Sequence, residues 1–138
     1  MDSAGFRALL ERLAHAWETQ DTDAGLDCFT EDAVYMEPPD VQLVIGHEQL
    51  RPYFDDVPAG TFMRWHHVSF DESTQTGAGE FTFGEPGDAE ADHGVCVVAL
   101  RDDRIVLWRE YLSKGPTDRA EFLSTEGKDW KWRPQAEG

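Results

Sequence analysis

GVCVVALRDDRIVLWREYLS, residues 94–113, is the stretch that decides the fold. Two runs rich in β-branched and aromatic residues flank Asp102-Asp103, and a two-residue acidic turn between such runs predicts a β-hairpin of strands 92–101 and 104–113. Working backwards, residues 61–71 and 76–83 repeat the period-two pattern, so four strands form a meander. Gly84-Glu85-Pro86-Gly87-Asp88 opens a longer exposed loop between the middle pair.

Upstream of residue 61 the period changes. Phe6, Leu9, Leu10, Leu13, Ala14 and Trp17 recur at helical spacing opposite Arg7, Glu11, Arg12 and Glu18, which predicts a long amphipathic helix over residues 3–20. Asp21-Thr22-Asp23 breaks it and caps a short second helix carrying Leu26 and Phe29. Residues 32–37 read as a strand stopped by Pro38-Pro39, whose missing N–H groups cannot extend a ladder. Gly46 precedes a third helix with Leu50, Tyr53 and Phe54, where Pro52 predicts a kink or a late start. The tail from Lys114 carries a short helix at 119–123, then Trp130 and Trp132 among charges. Helices followed by strands predict an α+β domain, a curved antiparallel sheet wrapped around a long N-terminal helix and two short ones. One domain is expected over residues 1–138, with a core of about 3–113 and a tail of 114–138.

The 138 residues hold 12 Lys+Arg against 28 Asp+Glu, a formal charge of -16. Such a surface repels phosphates and anionic headgroups, which argues against nucleic-acid or membrane partners. No apolar run approaches the roughly 20 residues of a membrane helix, so a cytoplasmic protein is expected. Cys28 and Cys96 lack CxxC spacing and read as free thiols. No HxH, HExxH, GxxxxGK[ST] or GxSxG pattern occurs, so neither a metal nor a cofactor is expected.

The order and spacing of AW (16–17), CFTEDAVYMEPP (28–39), Gly46 with Leu50 and Tyr53-Phe54, and DDRIVLWREYL (102–112) resemble the SnoaL-like branch of the nuclear transport factor 2-like superfamily. The resemblance covers roughly residues 6–113 and implies a cone-shaped α+β fold with a pocket, a homodimer paired through the outer face of the sheet, and a small, largely apolar organic ligand. The superfamily hosts isomerases, dehydratases, epoxide hydrolases, cyclases and non-catalytic binders, so the fold leaves the reaction open. Laid over ketosteroid isomerases, Glu37 falls on the proton-abstracting carboxylate, while the oxyanion tyrosine and acid fall on Leu13 and Cys96. Laid over limonene-type epoxide hydrolases, Tyr35 and Glu37 fall on the water-positioning tyrosine and asparagine, and Glu110 on the activating base. The arginine and aspartate that those enzymes keep on an earlier strand are absent from Gly79-Glu80-Phe81-Thr82-Phe83.

Alternation puts Val106, Trp108, Glu110 and Leu112 on one face of the last strand and Ile105, Leu107, Arg109 and Tyr111 on the other. The resemblance turns the Trp108/Glu110 face inward. A carboxylate there is desolvated and its pKa rises toward neutrality, as acid–base catalysis requires; a structural pair with Arg64 is the plainer alternative. Glu37, facing the same cavity, would push the two pKa values apart. His66 and His67 are adjacent on a strand, so at most one enters the cavity; His67, with His93 on a nearby strand, resembles the water-holding pair of scytalone dehydratase. The expected catalytic groups are Glu110, Glu37 and His67. Tyr35, Trp65, His66, Phe81, Phe83, Asp92, His93, Cys96 and Trp108 are expected to line the substrate site. The expected function is cofactor-independent acid–base chemistry, with a non-catalytic ligand-binding or dimeric association domain as the alternative.

Overall fold

The computed structural model describes residues 1–38 and 41–116. Its elements follow in the order α1 (Ser3–Glu18), α2 (Thr22–Asp27), β1 (Phe29–Met36), β2 (Leu43–Ile45), α3 (Gly46–Asp55), β3 (Phe62–Asp71), β4 (Thr76–Gly84), β5 (Glu90–Arg101) and β6 (Arg104–Pro116). The first two helices start where side chains can satisfy orphan N–H groups. Asp2 accepts from Gly5 N at 2.8 Å to open α1, and Asp21 accepts from Ala24 N at 3.0 Å to open α2. The helix α3 runs from Gly46 straight through Pro52, so a late start is not what the chain adopts.

The strands form one six-stranded sheet in the order β2-β1-β6-β5-β4-β3. Four consecutive strands make the expected meander, and Asp102 and Asp103 both take positive φ (53° and 61°) in the turn between β5 and β6, as a two-residue hairpin of matching twist requires. The sheet is nevertheless mixed rather than wholly antiparallel. Its β1 runs parallel to β6, with Tyr35 opposite Trp108, and β2 adds an antiparallel edge to β1. The β6 strand also continues past the expected tail boundary at Lys114, because Glu90, Ala91 and Asp92 pair with Pro116, Gly115 and Lys114. The expected helix at 119–123, Pro39, Trp130 and Trp132 lie outside the described residues.

One face of the sheet is covered by α1. Phe6 stacks on Phe70 with centroids 4.5 Å apart, and Trp65 Nε1 donates to Leu10 O at 3.0 Å. The helix sits this low because β4 carries glycine beneath it: a Cβ at Gly77 would meet Phe6 Cε1 at 2.6 Å, and one at Gly79 would meet Trp65 Cζ3 at 2.6 Å and Leu10 Cδ1 at 3.4 Å. Leu9, Leu10, Leu13, Phe29, Leu50, Val98, Ile105 and Trp108 fill the core between these layers. Packing thins out toward Glu37, Asp92 and Leu112, and a cavity opens there.

Candidate active site

The cavity encloses about 210 Å³. Its wall is aromatic and aliphatic, from Trp17, Tyr35, Tyr53, Phe81 and Phe83 with Val57, Met63 and Leu112; its charged members are Glu37, Asp92 and Glu110. Strands place Glu110 and Asp92, and Glu37 follows directly on the end of β1. Glu110 follows Trp108 by two residues on β6, which sets both side chains on the inner face. Tyr35 is opposite Trp108 on β1, and their rings stack at 5.5 Å and 5°. That stacking carries the tyrosine hydroxyl to the carboxylate one step farther along β6. Tyr35 Oη donates to Glu110 Oε2 at 3.1 Å, and Trp108 Nε1 donates to the same oxygen at 2.9 Å.

Glu110 is only 5% exposed, and both of its hydrogen bonds fall on one oxygen. Among the described residues Oε1 has no hydrogen-bond partner, and no cation pairs with this carboxylate. The structural pair with Arg64 is not formed; Arg64 binds Glu18 instead. Burial therefore dominates and raises the pKa of Glu110 from 4.5 to about 7, against the pull of the Trp108 and Tyr35 donors, with the charges of Glu37 and Asp92 adding to the rise. Burial, and then the Glu110 charge, holds the Tyr35 hydroxyl well above its ordinary value, so it remains a donor. The site thus offers a carboxylate poised near neutrality, one oxygen fixed and the other facing the cavity.

Glu37 lies just past the end of β1 and lines the cavity with Glu110. Asp92 lines it too, opposite Phe83, with Lys114 Nζ 3.4 Å from its Oδ1. Trp108 supports the wall from behind, and Trp65 packs deeper, edge-on to Phe81 and Trp108. Cys96 is opposite Glu110 but fully buried, with Sγ 3.7 Å from Gly79 O; burial raises its pKa, so it fills space as a thiol.

The histidines do not reach the cavity. Trp65 opposes Phe81 and Val68 opposes Gly79, so His66 and His67 together oppose the single residue Glu80. This bulge sends both rings to the outer face, where strict alternation would send one inward. His67 Nδ1 lies 2.6 Å from Glu80 Oε1, and His66 Nε2 lies 2.8 Å from Thr82 Oγ1. Thr82 Oγ1 is in turn 2.9 Å from His93 Nδ1, and His93 Nε2 donates to Pro116 O at 2.8 Å. A carbonyl only accepts, so His93 carries a proton on Nε2. The three side chains knit β3, β4, β5 and the end of β6 together.

Sequence reasoning passed over Trp17, Tyr53, Val57, Met63 and Leu112 as wall residues. Helical spacing marks Trp17 and Tyr53 as inward-facing, but periodicity cannot say whether an inward side chain meets another side chain or open space. Trp17 Nε1 is buried with no hydrogen-bond partner among the described residues, its ring edge-on to Phe54, Phe83 and Trp108.

The sequence profile of the SnoaL-like domain matches residues 10–108. The chain belongs to this family. No curated protein sequence matches it. Among solved structures, this SnoaL-like chain is similar to a candidate ketosteroid isomerase from Kribbella flavida (15% identity, 99% of this chain and 94% of that one, TM-score 0.70). It is similar also to an LEH-like epoxide hydrolase of M. tuberculosis (16%, 80% and 84%, TM-score 0.66). A third is SalBIII, an epoxide hydrolase/cyclase-like enzyme of pyran ring formation in the polyether salinomycin (20%, 80% and 94%, TM-score 0.68). At these identities the likeness establishes the fold alone. Among the described residues no helix is long and apolar enough to cross a membrane, and no group of His, Cys, Asp or Glu is arranged to hold a metal ion.

Proposed function

We propose that this SnoaL-like protein is a cofactor-independent acid–base enzyme acting on a small, largely apolar organic molecule held in the cavity. The observation that carries the reading is Glu110: a buried carboxylate without a cationic partner among the described residues, its pKa near 7, in the wall of a mostly aromatic cavity. A structural carboxylate is ordinarily paired or solvated, whereas one kept desolvated in a cleft is available for proton transfer. Glu110 takes a proton from the substrate, or from a water beside it, through Oε1. Tyr35 and Trp108 hold Oε2 and steady the ionised form. Glu37 at the mouth serves as the second proton carrier. Isomerisation, dehydration, cyclisation and water addition to an epoxide can each proceed by proton transfer through such a pair of carboxyl groups. The fold shared with isomerase, epoxide-hydrolase and cyclase-like proteins supports the same range.

The test is a carbon-detected NMR titration of the Glu110 carboxyl together with turnover of a panel of small ketones, hydroxyketones and epoxides. A midpoint near 7 is expected, and Glu110→Gln loses about 100-fold or more of any activity found. A midpoint near 4.5, or full activity in both Glu110→Gln and Glu37→Gln, overturns the assignment.

A further inference from the structure

The charge of the cavity wall narrows the ligand further than its apolar character does. Glu37, Asp92 and Glu110 all face the hollow, and among the described residues the wall contains no Lys, Arg or His. Lys114 reaches Asp92 from the mouth, but its side chain is 67% exposed and the contact is 3.4 Å long, a weak pair that a ligand can replace. Glu110 is nine-tenths buried and, among the described residues, its protein donors both fall on Oε2, so Oε1 is open to a donor on a ligand in the hollow. Among the described residues the carboxylates are not grouped to hold a metal ion, and an organic donor suits the aromatic wall. The rings of Trp17, Tyr35 and Phe81 surround the same space, and ring faces attract cations.

Three kinds of ligand meet this wall differently. An anion is repelled by every charged group in it. A neutral apolar molecule displaces water from Glu110 and returns nothing to the carboxylate, so its binding works against ionisation. An alkylammonium donates charge-assisted hydrogen bonds to Oε1 and leaves its hydrocarbon against the rings. The overall charge of -16 raises the local concentration of cations before any contact is made. We infer that the ligand of this cavity is a small amine, bound as its ammonium form with the nitrogen toward Glu110 and the mouth carboxylates and an apolar body among the aromatic rings. The inference rests on the reading of this cavity as the ligand site, and names the substrate class for it.

Benzylamine, benzyl alcohol and benzoate present one ring with a cationic, a neutral and an anionic head. Each is titrated at pH 8 into the isotopically labelled full chain, following the indole N–H signals of Trp17 and Trp108 and the Glu110 carboxyl. The expected result is benzylamine at least tenfold tighter than benzyl alcohol, benzoate weakest, both indole signals displaced, and the Glu110 midpoint lowered by the amine. Glu37→Gln combined with Asp92→Asn, which alters only half-exposed side chains, reduces the preference for the amine severalfold. Equal or tighter binding of benzyl alcohol, with the same indole signals displaced, overturns the amine assignment and leaves the acid–base reading standing. Binding of none of the three at millimolar concentration also overturns it. The acid–base reading fails separately, by a Glu110 midpoint near 4.5 in the free protein.

Discussion

At the scale of single residues, Glu110 makes this protein's stability depend on pH in the opposite sense to a paired carboxylate. Its folded pKa lies near 7 against 4.5 for the ordinary group, so between those values the folded state holds more protons than the unfolded one. Stability from this group is fully present below about 4.5 and is lost as pH rises through 7. A displacement of this size corresponds to about 3 kcal/mol, an upper figure for a side chain with two donors on it. Asp32 is the contrast: hydrogen bonds from Arg101 lower its pKa to about 2, so its contribution to folding is full above the unfolded pKa and is lost as pH falls through about 2. Glu110→Gln keeps an acceptor for Tyr35 and Trp108 and removes the charge. It is expected to match the native chain near pH 4 and exceed its stability by about 1–3 kcal/mol at pH 8, in urea denaturation at each pH. A loss of equal size at both values would show that Glu110 is not held against ionisation. The residue itself was legible in the sequence, since two-residue alternation ties its face to that of Trp108. The donor Tyr35 was not, because it comes to Glu110 through a pairing 73 positions apart in sequence (Tyr35 opposite Trp108), which no local pattern encodes.

At the scale of elements, hydrophobic period picked out α1 and the four-strand meander because each buries one continuous face. It could not foresee β2, a three-residue edge strand, nor the parallel partnership of β1 with β6. Nor could it foresee the bulge at His66-His67, since one extra residue reverses alternation without changing composition. Glycines in β4 mark where an element was cut to fit another, and this is open to direct test. In Gly79→Ala the new Cβ lies 2.6 Å from Trp65 Cζ3 and 2.9 Å from Cε3, with Leu10 Cδ1 behind. The methyl cannot be accommodated without moving the indole, whose Nε1 is tied to Leu10 O. Overpacking of this kind costs about 1–3 kcal/mol. The expected outcome is a lower urea midpoint with an unchanged slope, and a changed Trp65 environment in near-ultraviolet circular dichroism. A variant as stable as the native chain would mean that α1 can lift away from the sheet freely.

At the scale of the whole molecule, a charge of -16 on 138 residues sets two effects against each other as salt is added. Repulsion among carboxylates destabilises the compact state, and salt relieves it as the screening length falls from about 10 Å at 0.1 M to about 3 Å at 1 M. The attractive surface pairs Arg64–Glu18, Arg51–Asp23 and Arg101–Asp32 are weakened by the same screening, but exposed pairs contribute at most about 1 kcal/mol each. With more than twice as many acidic as basic side chains, repulsion wins. The melting temperature is expected to rise by about 3–6 °C between low salt and about 0.5 M sodium chloride, in the range that roughly 1 kcal/mol shifts a domain of this size. The affinity for benzylamine should move the other way, because the field that gathers cations is screened while the aromatic contacts are not. Benzyl alcohol, which carries no charge, should be held no less tightly at high salt. A calorimetric melt and a binding titration at both salt concentrations separate the two effects: a melting temperature that falls with salt would mean that the cross-linking pairs, and not the surplus of carboxylates, govern the stability of this fold.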